Sequence, residues 1–190
     1  EEIFSLITEE EIIMFQELQI KIKELNNKTN LTRLIDGDDY WISQVFDSIW
    51  PFKTFQNINF DNKKFLDIGS GCGFPGLAYA ITHPTSEIYL VDSSKKKTDA
   101  LKSIIKEINF KSNIHVINAR VENLAHQSSM RNSFDIATTR AVSNPSTVSE
   151  YILPMLKKEG LGVLYCGKWT DLESKNLEKT LEILEGKFKE

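Results

Sequence analysis

Cysteine is scarce in this chain: two thiols in 190 residues, Cys72 and Cys166. They form no CxxC pair and have no histidine at metal-ligand spacing, which excludes a disulfide framework and the common zinc motifs. The three histidines, His83, His115 and His126, form no pair at helical or zinc-finger spacing, and no metal is expected. Long hydrophobic runs are missing too. The longest apolar-rich stretch, near Gly76 to Ile81, falls far short of the ~20 residues a membrane helix needs. Glu1-Glu2-Ile3 lacks the basic start of a signal peptide, although a start without Met is compatible with earlier trimming. Positive charge is in deficit, with 23 Lys and Arg against 27 Asp and Glu and a net charge of −4. Nucleic-acid binding therefore has to come from a local basic face rather than from the whole surface. What remains is an ordinary soluble composition, 41% hydrophobic and 26% charged, with length for one domain and a real core.

Helical signals come first. Thr8-Glu9-Glu10-Glu11 has the spacing of a capping box, and Ile12, Phe15, Leu18, Ile22 and Leu25 recur as a helical stripe. Asn26 to Asn30 is expected to end that helix as a polar loop. Asp36-Gly37-Asp38-Asp39 is expected to cap a second helix carrying Trp41, Val45, Phe46 and Ile49, with Pro51 as its stop. Residues 1–57 thus read as a small helical subdomain. Residues 58–190 change character to alternating strands and helices. Strands are expected at Phe65–Ile68, Glu87–Asp92, Ile114–Ile117, Phe134–Thr139 and Leu161–Cys166. Helices are expected at Gly76–Thr82, Lys95–Asn109, Val148–Leu156 with a kink at Pro154, and Leu172 to about Phe188. Such alternation predicts βαβ units in a doubly wound, mostly parallel sheet, an α/β Rossmann-like architecture.

The densest chemical signal is Asp67-Ile68-Gly69-Ser70-Gly71-Cys72-Gly73-Phe74-Pro75-Gly76, which leaves a strand and opens a helix. Glycines allow a tight turn and a close backbone approach to a ligand, and the helix start offers free amides. Gly71, Gly73 and Gly76 also satisfy the dinucleotide fingerprint, so an NAD-dependent oxidoreductase is a rival reading. Two features favour S-adenosylmethionine instead: Asp67 suits a ligand with a cationic amino group, and Pro75 removes an amide that a pyrophosphate would use. Asp92, ending the second strand, suits ribose hydroxyls, or is simply a strand-end cap. Glu122, after the third strand, suits an adenine, or is a solvated loop carboxylate. The fold class expected is therefore a Rossmann-like class I methyltransferase. Its last strands, one of them antiparallel, would be missing here. A non-catalytic module of the same fold is a further alternative.

The end of the fourth strand narrows the chemistry. It carries Thr138-Thr139-Arg140-Ala141-Val142, not the Asn/Asp-Pro-Pro-aromatic tetrad used on exocyclic amines, and no nucleophilic cysteine follows it. An arginine fits a nucleophile that already has a free lone pair and needs no base. With these residues in view, the chain resembles the RsmG/GidB family of bacterial 16S rRNA guanine-N7 methyltransferases. The resemblance runs from about Asn30 to Lys168. It rests on Asn30-Leu31-Thr32, Asp47-Ser48, the glycine motif with its Phe-Pro-Gly ending, Asp92-Ser93 with Lys96-Lys97, Arg120-Val121-Glu122 and Arg140-Ala141-Val142. Two positions depart from the family pattern: Gln44 replaces a common histidine, and Gly167-Lys168 inverts a Lys-Gly pair.

The resemblance implies S-adenosylmethionine as cofactor, with contacts at Gly69, Phe74, Val121, Glu122 and Arg140; the glycine motif adds Gly71 and Gly73, and the fold class adds Asp92, with Ser93 beside it. It implies Arg140, Asn30, Arg120 and Lys168 on the catalytic or RNA side. The implied partner is 16S rRNA or the small ribosomal subunit, met by a cytoplasmic monomer with no membrane contact. Lys95, Lys96, Lys97, Lys102 and Lys106 on one helix, and Lys157-Lys158, are the candidate basic face.

Overall fold

The computed structural model describes residues 5–55, 57–140, 143–167 and 169–188. Five strands form one parallel sheet: β1 (Lys64–Ile68), β2 (Glu87–Asp92), β3 (Asn113–Asn118), β4 (Phe134–Arg140) and β5 (Leu156–Tyr165). Their order is β3-β2-β1-β4-β5, so the chain reverses its direction of growth between β1 and β4. In open α/β sheets ligands bind in the crevice outside the carboxyl ends of the strands at such a switch point.

Before the sheet come α1 (Glu9–Thr29), α2 (Gly37–Tyr40), a π-helical turn (Trp41–Phe46) and α3 (Asp47–Thr54). Helices α4 (Gly76–Thr82), α5 (Lys95–Glu107), α6 (Val121–Leu124) and α7 (Pro145–Ile152) link successive strands, and α8 (Asp171–Ile183) follows β5. Side chains alternate along each strand. Phe65, Ile88, Leu90 and Ile136 enter one core with Phe15, Leu18, Ile22, Val45, Ile49 and Phe52 of the N-terminal helices. Leu66, Ile68, Val91 and Ala137 enter a second core with Val148 and Ile152 of α7.

The expected capping box forms: the Glu11 amide donates to Thr8 Oγ1 at 3.2 Å and the Thr8 amide to Glu11 Oε2 at 2.7 Å. The expected polar loop after α1 is instead helical through Thr29, and Asn30 ends it in the left-handed conformation, φ 48°, which asparagine tolerates well. Asp36 stands at the α2 N-cap without a side-chain cap bond, its carboxylate being paired with Lys23 at 2.5 Å. Pro51 does not stop the second helix. Phe52 one residue on packs edge to face against Phe60, Phe65 and Tyr79, and that burial holds the final turn.

Helix α7 begins three residues before the apolar periodicity suggests. Asn144 caps it, accepting from the Thr147 amide at 3.0 Å, and Pro145 takes the first turn, where a missing N–H costs nothing. The helix ends at Ile152, short of the expected Leu156, and Pro154 lies outside it. Lys157 to Gly160 is a bulge within β5, which pairs Leu156 with Phe134 and then Leu161 with Ile136. The last helix ends at Ile183, not near Phe188. There Glu185 is left-handed and the Gly186 amide closes on Leu181 O at 2.9 Å.

Candidate active site

A cavity of about 1110 Å³ opens at the carboxyl ends of the strands. One wall is the carboxyl end of the sheet: Gly69 to Cys72 after β1, Asp92 at the end of β2 and Ser93 after it, Arg120 to Glu122 after β3, and Arg140 at the end of β4. The other wall is helical, with Leu31, Thr32 and Leu34 before α2 and then Ser43, Gln44, Phe46, Asp47 and Trp50.

The glycine loop is pinned from below. The Gly69 and Ser70 amides donate to Val91 O at 2.8 and 3.0 Å, and the Gly73 amide to Ser70 O at 2.7 Å. Gly71 is left-handed, φ 57°, and a Cβ built on it would meet only Gly69 O at 3.7 Å. Its bare face is therefore open for a ligand's close approach. Gly73 is turned the other way. It does not line the cavity, and a Cβ there would strike the Leu77 side chain beneath. Its contribution to a ligand site is thus the shape of the turn. Phe74 lines the cavity while its ring packs edge to face on Tyr40, 5.8 Å between centroids.

Asp67 does not face a ligand. Alternation along β1 points it under α4, where it is 0% exposed. Its Oδ2 accepts from the Gly76 amide at 3.0 Å, and its Oδ1 from Thr138 Oγ1 at 3.1 Å. Burial pushes its carboxyl up to about 6; those bonds and the Arg140 charge pull the other way. The acidic residue of the motif is a brace for the loop and the helix start, which corrects the expectation that it meets a cationic amino group.

Asp92 does face the cavity. Its Oδ2 accepts from the Gly71 amide at 2.9 Å and its Oδ1 from the Ser94 amide at 2.8 Å, which leaves acceptor capacity on both oxygens. Val121 and Glu122 open the short α6. The bond to its own backbone amide and the neighbouring Arg120 hold Glu122 below the usual carboxylate range, and Arg120 Nη2 lies 3.1 Å from Glu122 Oε1. An open glycine backbone beside two carboxylates at the ends of β2 and β3 fits a nucleoside with free hydroxyls.

Arg140 joins the two walls. Its Nη1 donates to Ser43 O at 3.0 Å, and its Nη2 donates to the Gln44 side-chain carbonyl. Gln44 in turn donates through Nε2 to Thr32 Oγ1 at 2.9 Å. Tyr165 adds a second tie, donating to Ser48 O at 2.9 Å. The acceptors for Arg140 come from the π-helical turn, a feature frequent at functional sites. No expected reading named Ser43, Gln44, Phe46 or Trp50 as wall residues. Their signal in the sequence is the Phe46–Trp50 pair, one turn apart and off the Val45–Ile49–Phe52 stripe.

Asn30 caps α1 and does not itself line the cavity, though Leu31 and Thr32 do. Lys168, Ala141 and Val142 lie outside the described residues. Of the basic candidates, Lys97 lines the cavity. Lys95 is paired with Asp99 at 2.9 Å and Lys157 with Asp135 at 2.8 Å. Among the described residues no group of side chains is arranged to hold a metal, and no helix is long and apolar enough to cross a membrane.

The chain is 89% identical over 189 residues to the ribosomal RNA small subunit methyltransferase G of Prochlorococcus marinus strain MIT 9312, spanning 100% of this chain and 80% of that one. It is 87% identical over 190 residues to the protein of the same name from strain MIT 9215, with the same coverage. Among solved structures, a SAM-dependent O-methyltransferase from Thermotoga maritima aligns with a TM-score of 0.55 at 13% identity, over 86% of this chain and 55% of that one, a likeness of fold alone. The family model described as rRNA small subunit methyltransferase G matches residues 11–190, and the chain belongs to that family.

Proposed function

We propose that this protein transfers a methyl group from S-adenosylmethionine to nitrogen-7 of a guanine in small-subunit ribosomal RNA, in the cytoplasm where ribosomal particles are found. The observation that carries the reading is the two-walled cavity at the switch point, in a chain so close to relatives named for this class of activity. On the sheet wall, the Gly69–Gly71 backbone takes the close approach of the cofactor. Asp92 accepts from its ribose hydroxyls, and the Val121 amide with Glu122 meets its adenine. The cofactor supplies an electrophilic methyl on a sulfonium.

Guanine nitrogen-7 holds a lone pair at neutral pH, so the protein need not remove a proton. Held by the glycine loop, Asp92 and Glu122, the cofactor would give up its methyl directly to that lone pair and leave as the neutral thioether, with the positive charge passing to the purine. The protein's task is alignment, worth several powers of ten in rate. Arg140 performs it indirectly, by locking the helical wall to the end of β4. In duplex RNA nitrogen-7 faces a deep, narrow groove, so the target base is unpaired or in a distorted helix. Mass spectrometry of 16S rRNA treated with the protein and labelled cofactor tests the reading. The label is expected in 7-methylguanosine; label found only on an adenine amine or a pyrimidine carbon overturns it.

A further inference from the structure

Of two aromatic rings on the helical wall, Phe46 packs half-buried against the core and Trp50 stands clear of it. Val45, Ile49 and Phe52 form the buried stripe of the second helix. Phe46 and Trp50 lie off that stripe, one turn apart, and both line the cavity. Their ring centroids are 5.0 Å apart at an interplanar angle of 41°. Phe46 is half-buried behind, and Trp50 is 46% exposed. Trp50 thus offers a free ring face at the cavity.

The cavity also extends across both walls. The nucleoside cofactor uses the glycine loop, Asp92 and Glu122, which leaves the aromatic wall for the second reactant. Asp47 lines that same wall, three residues before Trp50 and so on the same helix face. A carboxylate there repels a phosphate but accepts from the ring N–H and amino group of a guanine. The wall is built for a base, not for RNA backbone.

We propose that Trp50, backed by Phe46, is the platform on which the target guanine stacks while its nitrogen-7 is presented to the cofactor's methyl. This rests on the functional reading above. A flat ring against a flat base fixes the plane of the purine, and unpaired bases are commonly held on aromatic side chains in this way. Arg140 fixes the platform in turn, because its two acceptors, Ser43 and Gln44, lie on the turn that leads into α3.

The test uses the full chain, small ribosomal subunits lacking the modification, and two variants, Trp50→Ala and Trp50→Phe. Trp50→Ala is expected to lower kcat/KM for transfer by about 5- to 100-fold, the range for losing one base-stacking ring, mainly through KM. Trp50→Phe should stay within about 3-fold of wild type, since any aromatic face can stack. S-adenosylhomocysteine affinity and Tm should be unchanged in both. Transfer by the Ala variant within 2-fold of wild type overturns the platform while leaving the functional reading intact. So does an Ala variant whose loss is matched by a fallen Tm or weakened S-adenosylhomocysteine binding, because its role is then structural. A wild-type protein that puts no label on guanine overturns both readings together.

Discussion

The two walls of the cavity are built on different principles. The sheet wall is made of backbone. Gly69, Ser70 and Gly71 are tied by main-chain amides to β2 and to Asp92, and little in it can move without unpicking the sheet. The helical wall is made of side chains on a π-turn and the helix after it; behind it Val45, Ile49 and Phe52 share the sheet's core, and at the cavity the Arg140 guanidinium and the Tyr165 hydroxyl tie it to the sheet. A wall of backbone suits a ligand that never changes, such as a cofactor. A wall of side chains suits the reactant that defines one enzyme among many with the same fold.

The largest effect that tests this contrast is expected at Gly71. Gly71→Val puts a branched side chain into the open space above the loop and forces it into a left-handed backbone, φ 57°, that branched residues strongly avoid. Calorimetry with S-adenosylhomocysteine should show binding at least ~10³-fold weaker, by the steric logic that makes glycine obligatory where a ligand meets backbone. Gly71→Asn separates the two causes, because asparagine accepts the left-handed region but still fills the space. Recovery of wild-type affinity in the Asn variant would show that the open face is not where the cofactor lies.

A smaller effect, at the joint between the walls, is expected from Arg140→Ala. With the tie at the cavity lost and the core contacts behind it intact, methyl transfer should fall about 10²-fold, the cost of losing alignment at a reacting centre, while S-adenosylhomocysteine affinity changes far less. Arg140→Lys should not restore transfer, because one ammonium cannot reproduce a planar fork bonded to two separate acceptors. Single-turnover kinetics beside calorimetry on the same variants would read this directly. An Ala variant that loses cofactor affinity as steeply as it loses rate would make Arg140 a direct cofactor contact and not a tie between the walls.

The same contrast explains what could be read in the sequence. The βαβ alternation and the glycine loop are backbone features, and backbone requirements restrict residue type strongly: Gly69, Gly71 and Gly73 all have positive φ. The sheet, its parallel order and the cavity-lining positions of Gly71, Asp92 and Glu122 followed from them. Spacing, however, gives a position and not a direction. Asp67 was placed correctly in the motif and wrongly in its role, because the alternation of β1 turns it under α4. Gly73 likewise serves the turn. The helical wall left a weaker trace. A π-turn adds a residue to the helical repeat, so the Trp41–Phe46 segment mimics ordinary α-periodicity while rotating Gln44 and Phe46 onto the cavity. Pro51 looked like a stop because the packing of Phe52 is not visible in one dimension.

Two buried groups, Asp67 and His83, have their titration moved within the acid range in opposite directions, and the smallest effect follows from their opposition. Under the sheet wall, Asp67 has its carboxyl pushed by burial from 3.8 up to about 6. The folded state thus holds its proton more tightly than the unfolded chain, and Asp67 costs stability as pH rises from about 4 through 6. Under the helical wall, His83 stacks on Tyr79, 4.3 Å between centroids, and meets Phe52 of α3 edge to face. Burial, helped by the charge of Lys53, lowers it from 6.5 to about 4. The fold therefore favours its neutral ring, and that stabilisation is present above pH 6.5 and lost as pH falls toward 4. Each shift is about two units, on the order of 3 kcal/mol if fully expressed. The two slopes have opposite sign in the same window, so their sum in the wild-type protein should be nearly flat between pH 4.5 and 6.5. Asp67→Asn, which keeps an acceptor for the Gly76 amide, should unmask a stability that rises with pH. His83→Phe, which keeps a ring on Tyr79, should unmask one that falls, and the double variant should be flat again. Urea unfolding at closely spaced pH values measures all four curves. Single variants whose curves run parallel to wild type would mean that neither group titrates differently in the fold, and that the loop above Asp67 is braced by geometry alone.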